Sequence, residues 1–75
     1  MRLFLNMGKG HGLNLRMLLG SISRIANVEQ RHIQNVLMKE DFSFINVPRR
    51  AAEQLLNTQA EISGRKIHFE VSERN

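Results

Sequence analysis

An α+β sandwich is the fold class this sequence predicts, in the order strand, helix, strand, strand, helix, strand (βαββαβ). Three observations predict it. Apolar residues recur at helical spacing in two stretches, over 15–25 and 51–56. They alternate with polar residues in others, most clearly over 42–47 and 66–71. Breakers separate the two patterns: Gly8, Gly10 and Gly12, then Pro48, then Gly64. Two split βαβ units in this order form a four-stranded antiparallel sheet with both helices on one face. The other face of the sheet is left open.

The elements follow in turn. Leu3 to Met7 is an apolar run that breaks at Gly8-Lys9-Gly10-His11-Gly12, a strand and then a flexible glycine loop. Leu15, Leu18, Leu19, Ile22 and Ile25 form one helical stripe, with Arg16 and Arg24 off it. Asn14 is a suitable N-cap and Asn27 a suitable C-terminal residue. Val28 to His32 is a polar connection. Ile33 to Lys39 is the second strand, Glu40-Asp41 a turn, and Phe42 to Val47 the third strand, so the pair forms a hairpin. Pro48 opens the second helix, where its missing N–H costs nothing. Ala51, Ala52, Leu55 and Leu56 supply that helix's apolar stripe. Asn57 to Gly64 is a loop. Lys66 to Val71 is the fourth strand, with Ile67, Phe69 and Val71 on one side and Lys66, His68 and Glu70 on the other.

Composition narrows the function. The 75 residues make a single domain over 1–75, too short to enclose a sizeable active site. The hydrophobic share of 41% suits a globular domain rather than a disordered tail. There is no cysteine, which removes disulfides and thiolate metal sites and fits a reducing, cytoplasmic setting. No apolar run reaches the roughly 20 residues of a membrane span, so no membrane partner is expected. The start, Met1-Arg2-Leu3-Phe4-Leu5, is too short for a signal-peptide core. The net charge of +4 favours polyanionic partners.

Catalysis finds no support. His11, His32 and His68 are scattered, with no pair at metal-ligand spacing. Glu40-Asp41 is a hairpin turn rather than an acid/base pair. The serines have no base and orienting carboxylate at hand. No cofactor is expected.

Both faces of the first and third strands are partly apolar. Leu3 and Leu5 oppose Phe4; Ser43, Ile45 and Val47 oppose Phe42, Phe44 and Asn46. Alternation alone leaves open which set packs on the helices.

The element order and these motifs resemble an RNA recognition motif, a ferredoxin-like sandwich. Leu3-Phe4-Leu5-Asn6 resembles its first signature, and Phe42-Ser43-Phe44-Ile45-Asn46-Val47 the heart of its second. Gly64-Arg65-Lys66-Ile67-His68-Phe69-Glu70-Val71 resembles its last turn and strand. The resemblance implies that Phe4, Phe42 and Phe44 stand on the open face as a base-stacking triad. Leu3, Leu5, Ile45, Val47, Ile67 and Phe69 would then be core. Asn6, Asn35, Lys39, Asn46, Lys66 and His68 would be polar neighbours on the face, and Glu70 would add a carboxylate to it. Exposed aromatics in a cluster fit a binding surface, since burying each would otherwise contribute about 1.5–3 kcal/mol.

A narrower resemblance covers nearly the whole chain. Arg2-Leu3-Phe4-Leu5-Asn6-Met7-Gly8-Lys9, closing with Gly12-Leu13, looks like the start of the C-terminal RNA-binding domain of bacterial DEAD-box RNA helicases of the DbpA/CsdA type. Phe42-Ser43-Phe44-Ile45, running into Val47-Pro48 and Ala51-Ala52, is similar to its middle. This implies a domain cut from the C-terminus of a longer ATP-dependent helicase. It would bind structured RNA, ribosomal RNA among it, with the helicase core in cis as its other partner. The motor's Walker motif and DEAD box are absent from this chain, so these residues alone are not an enzyme. A protein-interaction module of the same fold, gripping a partner with the phenylalanine face, is the alternative.

The remaining basic residues admit two readings each. Lys9 and His11, in the glycine loop, are either RNA contacts or part of a solvated turn. Arg65 and Lys66 flank the sheet face or are simply solvated. Arg49 and Arg50 oppose the dipole of the second helix, which hints at use, although a tolerated surface pair is the simpler reading. Leu37 is either exposed on the second strand or part of the core.

Overall fold

A computed structural model of the chain describes residues 1–72. Strands β1 (Arg2–Leu5), β2 (Gln34–Met38), β3 (Ser43–Asn46), β4 (Ala60–Ile62), β5 (Arg65–Ile67) and β6 (Phe69–Val71) accompany helices α1 (Leu15–Ala26) and α2 (Arg49–Leu56). Four strands pair antiparallel in the order β2-β3-β1-β6, and β4 and β5 pair apart from them. The result is the expected α+β, ferredoxin-like sandwich, with one face of the sheet covered by the helices.

Caps set the limits of α1. The Asn14 side chain accepts from the Met17 amide at 2.8 Å. Asn27 closes the helix in the left-handed conformation (φ 53°), which asparagine tolerates better than most residues. Leu18, Ile22 and Ala26 are buried, while Leu15, the first residue of the helix, is exposed. Pro48 caps α2, and its carbonyl accepts from the Ala52 amide at 2.9 Å. Ala51, Ala52 and Leu55 face inward.

Alternation divides the sheet cleanly. Leu3, Leu5, Ile45, Val47, Ile67 and Phe69 are all buried and join the helices in one hydrophobic core. Ser43 is buried too, and its hydroxyl donates to the Met7 carbonyl at 2.7 Å. Among the described residues, no buried side-chain nitrogen or oxygen lacks a partner.

The chain departs from the sequence reading in three places. First, residues 57–64 are not a plain loop, because Ala60–Ile62 pairs with Arg65–Ile67 in a tight hairpin. Its turn is Ser63-Gly64, both at positive φ (53° and 78°), the geometry of a type I′ turn that matches strand twist. Second, the expected strand over 66–71 changes partner at His68. Ile67 pairs with Ala60, whereas Phe69 pairs with Leu5. The change is held by Asn6, whose Oδ1 accepts from the His68 amide at 2.7 Å and whose own amide donates to the His68 carbonyl at 3.3 Å. Third, the glycine loop is a packed turn. Its Lys9 and Gly10 amides donate to the Lys39 and Glu40 carbonyls, both at 2.8 Å. A Cβ at Gly8 would lie 2.2 Å from the Lys39 carbonyl oxygen, so the glycine serves close approach rather than freedom.

The hairpin of β2 and β3 carries a bulge. Gln34 lies opposite Asn46 and Leu37 opposite Phe44, so Asn35 and Val36 together face Ile45. Asn35 takes the left-handed conformation there (φ 51°).

Candidate nucleic-acid interface

The open face begins with three rings in mutual contact. Phe4 and Phe44 are direct cross-strand partners on β1 and β3, and Phe42 precedes β3. The Phe4 and Phe42 rings stack at 5.8 Å and 28°. Phe44 meets both edge-on, at 5.9 Å from Phe4 and 5.5 Å from Phe42. All three are half-buried. Edge and offset contacts of this kind contribute about 0.5–1.5 kcal/mol per pair, which offsets part of the cost of leaving the rings in water.

Around Phe44 the face is cationic. The Arg2 guanidinium lies 5.1 Å from its ring centroid, and Arg2 Nη1 donates to Asn46 Oδ1 at 2.8 Å and to the Asn35 carbonyl at 3.3 Å. Leu37 stands opposite Phe44 on the other flank and is 42% exposed, which settles its direction in favour of the face.

Around Phe4 the face is acidic. Glu70 on β6 is the direct partner of Phe4. Its Oε2 lies 3.0 Å from His68 Nε2, and both side chains are exposed.

The expected site residues therefore fall into four groups. Phe4, Phe42, Phe44 and Asn46 share the sheet face. Asn6 and His68 sit together at the far end of β1, but the Asn6 carbonyl oxygen is spent on the His68 backbone. Lys9 and Lys39 come together across the glycine loop through the Lys9 amide. Arg65 and Lys66 lie on β5, where Lys66 faces Glu61, so Lys66 is not on the four-stranded sheet as expected. The partner exchange at His68 takes it off. Lys9, Lys39, Arg65 and Lys66 are exposed and form no ion pair among the described residues.

Arg2 escaped the sequence reading, although the signal was present. It stands two residues before Phe4, and a strand's period of two places both on one face. Among the described residues no cluster of three or more His, Asp or Glu side chains is arranged to hold a metal ion. No helix among them is long and apolar enough to cross a membrane.

Residues 2–71 match the family described as DbpA RNA binding domain. No curated protein is a significant match to the chain.

Proposed function

The chain belongs to the DbpA RNA-binding domain family, and from that premise we propose that the sheet face built on Phe4, Phe42 and Phe44 is where its RNA lies. The chain is an RNA-binding module and not itself a catalyst. The observation that carries the proposal is the ring cluster itself. Three aromatics are kept half in water on a sheet whose opposite face packs with the helices into the core. This resembles the arrangement of an RNA recognition motif, in which bases stack on rings at about 1–3 kcal/mol each. Arg2 and Asn46 offer donors beside Phe44, and Lys9 and Lys39 offer charge for the backbone at the other end.

The domain tethers a DEAD-box helicase core to structured RNA, ribosomal RNA being the leading candidate. A tether raises the core's effective concentration at its substrate without adding chemistry. Phe44→Ala tests the face. Binding to a structured ribosomal RNA fragment should weaken roughly tenfold or more, with the fold retained by circular dichroism. Wild-type affinity in a folded Phe44→Ala variant would move the interface elsewhere, with Lys9 and Lys39 next in line.

A second reading has one observation in its favour. Leu37 extends the apolar surface beside Phe44, which suits a protein partner as well as a base. Affinity for RNA that falls steeply with salt separates the two, because counterion release belongs to nucleic acid.

A further inference from the structure

We infer that Glu70 selects guanine for the base stacked on Phe4. The inference rests on the reading of the sheet as the RNA surface and names its specificity.

Phe4 is hemmed in on most sides. Phe42 stacks against it, Phe44 meets it from β3, and toward β6 its neighbour is Glu70. A base lying on the Phe4 ring therefore presents an edge to the Glu70 carboxylate. One of its oxygens, Oε2, lies 3.0 Å from His68 Nε2. Oε1 has no hydrogen-bond partner among the described residues.

An ionised carboxylate only accepts hydrogen bonds, and it repels phosphate. A carboxylate beside a stacking ring thus disfavours the backbone there and asks the base for donors. Guanine alone has two adjacent donors on its Watson–Crick edge, N1–H and N2–H, spaced to meet the two carboxylate oxygens together. Adenine and cytosine each set one amino group beside a ring acceptor, which a carboxylate repels. Uracil flanks its single N–H with two carbonyl oxygens. The opposite polarity at Phe44, where Arg2 supplies donors, separates the two positions chemically.

The test uses unstructured uridine hexamers carrying guanine, inosine, adenine or cytosine at one position, titrated by fluorescence anisotropy. Wild type should bind the guanine hexamer about tenfold or more tighter than the adenine, cytosine and all-uridine hexamers, because a good bidentate pair discriminates on that scale. Inosine, which lacks the N2 amine, should fall between guanine and uracil. Glu70→Gln should bind all hexamers within about threefold, with the uridine hexamer held no more weakly than by wild type. Equal affinities in wild type, or a guanine preference that survives Glu70→Gln, would overturn the inference while leaving the RNA face standing. Hexamers bound by wild type but not by Phe44→Ala identify that outcome. No binding of any hexamer at low salt would overturn the inference, and no binding of the structured ribosomal RNA fragment either would overturn the RNA face as well.

Discussion

The Arg2 guanidinium sits over the Phe44 ring, 5.1 Å from its centroid, and is tied beside it to Asn46 at 2.8 Å. One residue thus connects β1 and β3 on the face and covers part of one ring with a cation. The guanidinium is held by a ring, a side-chain amide and a backbone carbonyl, so little ordering remains when a ligand arrives. Arginine does this better than lysine, since its planar fork stacks and donates at once.

Arg2→Ala should therefore weaken RNA binding about tenfold while changing folding stability by under about 1 kcal/mol. Arg2→Lys should recover less than half of the lost binding energy, because it keeps the charge but not the fork. Binding titrations at two salt concentrations, with thermal melts alongside, check both.

Gly8 and Gly20 should respond to alanine in opposite senses. Gly8→Ala drives a Cβ into the Lys39 and Glu40 backbone and should cost about 2–3 kcal/mol. A Cβ at Gly20, inside α1, meets nothing within 4 Å, so Gly20→Ala should stabilise by roughly 0.5–1 kcal/mol. Each kcal/mol shifts the melting temperature of a domain this size by about 4–8 °C, so a thermal melt resolves the signs.

Ser43→Ala should destabilise by about 1–3 kcal/mol. The substitution leaves the Met7 carbonyl without its buried donor, and that desolvation is not recovered. Denaturant unfolding with an unchanged m-value checks it.

Asn6→Ala should act locally. The His68 amide loses its acceptor, while the Asn6 amide still reaches the His68 carbonyl. The expected cost is about 0.5–1.5 kcal/mol, with hydrogen-exchange protection lost at His68 and Phe69 before the centre of β1.

Much of this was legible in the residues, for physical reasons. The limits of α1 were visible because Asn14 caps it through its side chain and Asn27 tolerates the left-handed backbone that ends it. The inward leucines and isoleucines followed from alternation once the direction of one strand was known. The change of partner at His68 was hidden, because Ile67 and Phe69 keep alternating while their backbones bond to different strands. Ser63-Gly64 carries the signature of a tight hairpin, but the strands beside it are only three residues each, too short for alternation to stand out from a loop. Glycines 8 and 10 looked like freedom, whereas they permit contact with Lys39 and Glu40. Arg2 became visible only through register, since a charge at a strand's start reads as solvated until its neighbours are known.

The extra residue at Asn35 has a consequence for how the protein behaves in a crowded solution. β2 is an outer strand, and an unpaired outer strand is a template on which a second chain can add. The left-handed Asn35 breaks the row of amides and carbonyls on that border. It also draws one carbonyl inward to Arg2. A straight strand cannot zip along such a border, so a domain that displays three aromatic rings beside it is protected from runaway self-assembly.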